Sequence, residues 1–460
     1  MQGKEAKSVL AIGAILAFRM LGLFMVLPVF SIAAASIPGS DAALIGMAIG
    51  AYGLTQACLQ IPFGTLSDRI GRKPIIALGL ALFAFGSCVA AMAHTMPLLI
   101  FGRALQGAGA IGSTCLALVA DLTRDESRTK SMAVIGMTIG LSFCLAIVLG
   151  PLVYAHFQLS GIFWLTALLG LAAMLMLFTL IPNPPQDNGQ ARGATRSDYK
   201  AVFTDSELLR MNFSIFTQHA ILTLVFLALP IVFARQLHFS AHHQTMFYLC
   251  VIALSFVAML PLVIIGEVKR KLKGVFLFSV LAIAASQAMA MQLNPTLSHM
   301  AVILFVFFTA FTLLESILPS LVSKIAPLSL KGTAMGIYST SQYLGIFAGG
   351  VAGGTILHHY GTHGLFFTAL ALSAFWLLVL LGMAQPPYFS TLIMPYSDEQ
   401  AVEKIKSTLL ALPAIRDIDF SAREQLLYIK VDKHLLDEKK LRNAIENDNL
   451  DELKVVLNHQ

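Results

Sequence analysis

Apolar runs of about 20 residues or more recur twelve times along this chain. No other feature limits its fold so sharply. A helix of that length crosses a hydrocarbon core of ~30 Å. Backbone groups in lipid must pair within their own segment, so the crossings have to be helical. The runs fall at about 9–35, 43–66, 74–93, 98–120, 131–154, 160–181, 212–235, 243–265, 274–292, 299–322, 332–357 and 364–384. Composition agrees, with 57% of the 460 residues hydrophobic and 12% charged, far outside the range of soluble domains. The first run has Lys4 and Lys7 before it and Ala33, Ala34 and Ala35 after it, as a secretory signal would. It is too long for a signal and carries Arg19, so it reads as a retained span.

Positive charge sets the expected orientation. One set of loops holds Arg69, Arg72, Lys73, Arg124, Arg128, Lys130, Arg192, Arg196, Lys200, Lys269, Arg270, Lys271, Lys273, Lys324 and Lys331, while the alternate loops hold almost none beyond Arg235. The first set is expected on the cytoplasmic side, together with both termini. The net charge of +6 follows from this asymmetry and calls for no nucleic-acid partner. All five cysteines lie inside the runs without a CxxC pair, which reads as apolar packing.

Landmarks recur about 200 residues apart. Pro28 answers to Pro230, Pro62 to Pro261, Gly64 to Gly266 and Lys130 to Lys331. The pattern predicts two six-helix halves in parallel orientation, with a substrate site between them near the bilayer midplane. The expected domains are an N-terminal bundle over 1–181, a cytoplasmic linker over 182–211, a C-terminal bundle over 212–387 and a small domain over 388–460. The linker is rich in Pro, Gly, Asn and Gln and reads as flexible. In the tail, STLIMP, AIRDIDF and QLLYIKV read as strands, and 398–412 and 437–447 as helices. That β-α-β-β-α order predicts a ferredoxin-like α+β fold. The tail has ten Lys and Arg against thirteen Asp and Glu, which disfavours a polyanion partner. A small ligand or a protein partner for it stays open.

Ionisable residues inside lipid are costly and ask for a reason. Well inside the runs lie Arg19, Arg103, His219 and Glu315, in spans one, four, seven and ten. Each opens a group of three helices, so these four helices are expected to share a polar central cavity lined by Arg19, Arg103 and Glu315. A carboxyl among apolar neighbours can change protonation with its surroundings, which proton coupling requires. Glu315 is the first candidate and His219 the second. The chain lacks GxxxxGK[ST], HExxH and GxSxG motifs, so neither ATP hydrolysis nor another catalytic role is expected. No cofactor is called for. The histidines at 238, 242, 243, 358, 359 and 363 come without thiolates or a carboxylate cluster, so no metal site is expected.

The stretch GTLSDRIGRK, 64–73, crowds Asp68, Arg69, Arg72 and Lys73 between two apolar runs. Asp68 lies at a helix C-terminus, where an anion is badly placed and needs positive partners. Gly64 allows close helix approach, and Gly71 permits the turn before Pro74. This stretch resembles the signature between helices 2 and 3 of the major facilitator superfamily, residue for residue. IFGRALQGAGA, 100–110, resembles the helix 4 signature through Arg103, Gln106, Gly107 and Gly109. Gly140, Gly150 and Pro151 match part of the helix 5 antiporter signature, with Leu152 and Val153 in place of its glycine-rich end.

The resemblance spans about residues 8–385. Within that superfamily, FRMLGLFMVLP, LTQACLQIPFG, LLESILPSL and KGTAMGIYSTSQ are similar to YajR-type transporters, inner-membrane proteins that carry a cytoplasmic ferredoxin-like domain. The resemblance implies a polytopic all-α fold of twelve helices and proton-driven efflux of hydrophobic or amphipathic small molecules. The partners implied are substrate, protons and the bilayer. It also implies a conformational latch made by Gly64, Asp68, Arg69, Gly71, Arg72, Lys73 and Asp121, with Asp68 meeting the helix that starts at Gly332 and Thr333 when the cytoplasmic side is closed. Two other readings remain, a proton symporter or facilitator for nutrient uptake and a transporter-like sensor signalling through the tail.

Overall fold

A computed structural model of the chain describes residues 3–123, 125–183, 195–267, 269–291, 296–327, 330–385, 389–395, 409–410, 414–421 and 426–432. Its helices are α1 (Gly3–Phe24), α2 (Phe30–Ala33), α3 (Ala42–Ile70), α4 (Arg72–Ala91), α5 (Met96–Ala108), α6 (Gly112–Leu122), α7 (Asp125–Thr179), α8 (Arg196–Thr204), α9 (Ser206–Ile231), α10 (Ala241–Glu267), α11 (Leu272–Ala290), α12 (Leu297–Ile325) and α13 (Lys331–Leu381). Ten helical stretches are long and apolar enough to cross a membrane, two of them 50 and 51 residues long. Each long one doubles back at a single non-helical residue, Gln158 in α7 and Gly361 in α13. The count is therefore twelve crossings among the described residues, as the apolar runs predict.

The repeat is visible in backbone detail. Gln158 and Gly361 share nearly the same dihedrals, φ 56 and ψ −168 against φ 62 and ψ −162. Lys73 donates to the carbonyl of Ile181 at 2.5 Å, and Lys273 donates to that of Met383 at 2.5 Å. In each half a lysine opening the third crossing thus ties down the end of the sixth. Carbonyls at a helix C-terminus lack intrahelical donors, and a cation satisfies them well.

Local chemistry explains the breaks. The first crossing is interrupted between α1 and α2 around Pro28, which cannot donate to the ladder. The fourth is interrupted at Gly109–Ile111, between α5 and α6. The seventh ends in a π-helical turn over Val232–Gln236, just after Pro230. Asp41 caps α3 by accepting from the Leu44 amide at 2.7 Å.

The stretch expected as a flexible linker carries a structured element. Helix α8 occupies Arg196–Thr204, with a capping box between Thr195 and Asp198. The next crossing begins at Ser206 rather than 212, capped by Asp205. Polar composition concealed a short amphipathic helix whose Val202 is buried.

The tail forms a three-stranded antiparallel sheet of β1 (Phe389–Pro395), β2 (Ile415–Ser421) and β3 (Leu426–Asp432), in the order β1-β3-β2. This matches the expected strand positions. The two expected helices fall outside the described residues, apart from Leu409 and Leu410. Leu427, Ile429 and Val431 point to one face of β3 and are buried. Lys430 points to the other and donates to the Ala326 carbonyl, just past α12, at 2.9 Å. Burial, with Lys331 nearby, pushes the Lys430 amine down to about 8; Asp417 opposes this and Arg416 adds to it.

Candidate functional site

The end of the bundle that carries GTLSDRIGRK is called here the basic end, and the opposite one the far end. Two arginines lie deep in the first half, each 1% exposed. Arg19 of α1 donates to the Tyr52 hydroxyl at 3.2 Å and to the Gln56 side-chain carbonyl. Arg103 of α5 lies over the Tyr52 ring, 4.8 Å from its centroid. It also donates to Gln106 at 2.8 Å and to the Ala48 carbonyl at 3.4 Å. Gln106 in turn donates to Ser87 at 2.8 Å, and Gln56 to Gln60 at 2.9 Å. A buried guanidinium costs several kcal/mol in lost hydration. A desolvated cation–π contact returns ~2 kcal/mol, and the amide acceptors return part of the rest.

The signature glycines of α5 make this packing possible. A Cβ on Gly107 would meet the Tyr52 carbonyl at 2.2 Å, and one on Gly109 the Gly79 carbonyl at 2.4 Å. Helix α5 can press against α3 and α4 only where no side chain intervenes. Gly150 does the same for α7, since its Cβ would meet the Met25 carbonyl at 2.2 Å. Pro151 follows inside the same helix. Gly140 borders open space.

The second half holds a different cluster. Glu315 of α12 accepts from Gln218 at 3.1 Å and from Gln342 at 3.4 Å, with His219 Nε2 at 3.9 Å. Gln342 Nε2 lies 2.8 Å from His219 Nε2, and His219 Nδ1 lies 3.3 Å from the Ile215 carbonyl. One arrangement satisfies both contacts. The imidazole keeps its proton on Nδ1, donates it to Ile215 and accepts from the Gln342 amide. A second proton on Nε2 would oppose that amide and turn toward Glu315. The Glu315 side chain is 29% exposed and His219 1%, so the carboxylate is the open member of the pair.

The sequence expected Glu315 and the two arginines to line one cavity. In the structure Arg19 and Arg103 meet at Tyr52, and Glu315 meets His219. Neither arginine is ion-paired to Glu315. The halves meet between the clusters. Tyr52 and Tyr343 have ring centroids 6.4 Å apart. A row of rings, Phe24, Phe143 and Phe311, crosses from α1 through α7 to α12 with spacings of 4.8 and 5.3 Å.

Toward the far end α3 and α13 touch backbone to backbone. A Cβ on Gly46 would lie 2.2 Å from the Gly350 carbonyl, and one on Gly354 2.5 Å from the Ala42 carbonyl. Toward the basic end they part, and a Cβ on Gly332 or Gly336 would meet no neighbouring atom within 4 Å. Among the described residues no hydrogen bond or ion pair joins Asp68 to Gly332 or Thr333. Asp68 pairs with Arg72, whose Nε donates to Asp121 at 3.0 Å and whose Nη1 also donates to Ser67 at 2.8 Å. Arg69 is exposed. Gly71 sits at φ 108, a conformation that suits glycine, and Gly64 lies over Ser113. The second half has its own tie at this end, Lys324 to Glu267 at 2.7 Å.

Sequence reasoning missed the glutamines and tyrosines. Gln56, Gln60, Gln218 and Gln342 join the clusters, and they bring α3 and α13 into the polar centre. An amide inside an apolar run is a weaker form of the signal a charge gives, and it was there to be read.

Comparison with known proteins agrees with this architecture. The profile of the Major Facilitator Superfamily matches residues 12–350 and 211–394. The chain is 40% identical to the inner membrane transport protein YajR of Escherichia coli, over 96% of this chain and 97% of that one. It is 27% identical to the multidrug resistance protein MdtH of Aeromonas salmonicida, over 74% and 85%. The solved structure of a D-xylose-proton symporter shares the fold, with a TM-score of 0.66 at 16% identity, covering 83% of this chain and 98% of that one. With twelve crossings, a two-fold repeat and these matches, the chain belongs to the Major Facilitator Superfamily and is a membrane transporter.

Proposed function

We propose that this transporter exports hydrophobic or amphipathic small molecules in exchange for protons, by alternating access, in a bacterial inner membrane with both termini in the cytoplasm. The observation that carries the coupling is Glu315. It is the one carboxylate well inside a crossing among the described residues, partly open to water and set against His219 and two amides. Such a carboxyl takes a proton when its surroundings become less polar and releases it when a cation or water approaches. The names of the similar proteins YajR and MdtH support the inner membrane and the drug-like substrate class.

On this reading the basic end faces the cytoplasm and the structure represents the inward-open state. Closure would bring Asp68 to the start of α13 at Gly332, with Arg72 and Asp121 held ready. The test is Glu315→Gln in proteoliposomes. Gradient-driven transport should fall by at least about tenfold, while substrate affinity moves less than about twofold. A glutamine variant that still follows an imposed pH gradient overturns the coupling role. Alkalinisation outside everted vesicles on adding substrate would mark symport instead of exchange.

A further inference from the structure

Three nitrogens of the two first-half arginines, Nε and Nη1 of Arg19 and Nη2 of Arg103, are buried without a well-formed hydrogen bond, the Tyr343 phenol of the other half lying beside Arg19. Among the described residues neither arginine has a carboxylate within ion-pair distance. Every acceptor they do have is neutral, an amide, a phenol or a backbone carbonyl. Arginine stays charged in proteins, so neither can shed its charge to escape. A single tyrosine, Tyr52, joins them, offering its hydroxyl to one and its ring face to the other. Two permanent cations thus share one site with no carboxylate among its described residues.

We propose that this site binds the acidic head of the substrate, so that the transported compounds are organic anions, an apolar body carrying one carboxylate-like group. The inference rests on the transport reading above and narrows its substrate class. A carboxylate accepts up to about four hydrogen bonds through two oxygens and pairs with guanidinium groups in a planar, two-pronged way. It would meet those three nitrogens, next to Tyr52, which bridges the two arginines. The body would lie toward the ring row of Phe24, Phe143 and Phe311 between the halves. Tyr343, on the opposite half, lies beside Tyr52, so the site sits at the seam between the halves. A cationic drug would be repelled here, because the only carboxylate among the nearby described residues belongs to the separate Glu315 cluster.

The test uses the purified full chain in neutral detergent and three compounds with one body, 2-naphthoate, 2-naphthamide and 2-naphthylmethylammonium. Binding is read as the shift in unfolding temperature with concentration. The naphthoate should bind at least about tenfold more tightly than the amide, and the ammonium more weakly than either. Arg103→Gln and Arg19→Gln should each remove most of that preference, and Arg103→Lys should keep part of it. The unfolding temperature without ligand reports whether each variant folds, and the lysine variant serves if the glutamine one does not. Equal binding of all three, preference for the ammonium, no binding of any, or a naphthoate preference that survives both glutamine changes overturns the anion site. Binding or transport of the neutral or cationic compound in those cases leaves the exporter reading standing.

Discussion

At the residue scale, charge is spent where it must move or hold. Asp68 pairs with Arg72 in this state. An aspartate at a helix N-terminus is favoured by roughly 0.3–2 kcal/mol. Asp68→Asn should therefore weaken the state in which the basic end is closed, by up to ~30-fold in population. In a cysteine-free background, labelling of a cysteine at Gly332 should rise; unchanged labelling with unchanged transport removes the latch. Arg19, Arg103, His219 and Glu315 were legible in the sequence because an ionisable group in lipid needs a reason to be there. Their grouping was not legible. Which helix face each presents depends on α3 and α13, whose Tyr52, Gln56 and Gln342 look like ordinary polar residues until they are placed in three dimensions.

At the scale of elements, contact between α3 and α13 keeps the far end shut. Gly350 admits no side chain there, since its Cβ would sit 2.7 Å from the Gly46 carbonyl. Gly350→Val should pry the far end apart and lower labelling at Gly332, opposite in sign to Asp68→Asn. Equal labelling would show that this contact does not set the balance of states. Strand β3 makes the other sensitive contact, through Lys430 and the Ala326 carbonyl. Burial and Lys331 of α13 push the docked amine from 10.5 down to about 8, so the docked tail holds fewer protons. Docking should then tighten as pH rises from about 8 to about 10.5, by up to about tenfold per pH unit, and stay flat below. Protease cleavage of the tail measures this, and Lys430→Gln should abolish the pH dependence. The strands were legible from alternation alone; their docking site was not, because nothing in the tail's own pattern names the carbonyl it meets.

At the scale of the whole molecule, the two halves are built alike and close on themselves. The repeat was legible as prolines and glycines about 200 residues apart, and the structure extends it to the matched turns at Gln158 and Gly361. Lys73 and Lys273 each fasten the last crossing of their own half to its third. Neither tie reaches into the other half. Apart from the linker, what joins the halves is packing of α3 on α13, of α7 on α10 and of the ring row, all of it noncovalent. Covalent continuity between the halves is then dispensable. Two polypeptides, cut between residues 190 and 191 and expressed from separate messages, should find each other in the bilayer, co-purify one to one and carry substrate at a rate within about threefold of the intact chain. Failure to co-purify would show that the segment from 182 to 205 does more than connect. Success would make each half a unit that can be inserted, labelled or exchanged independently.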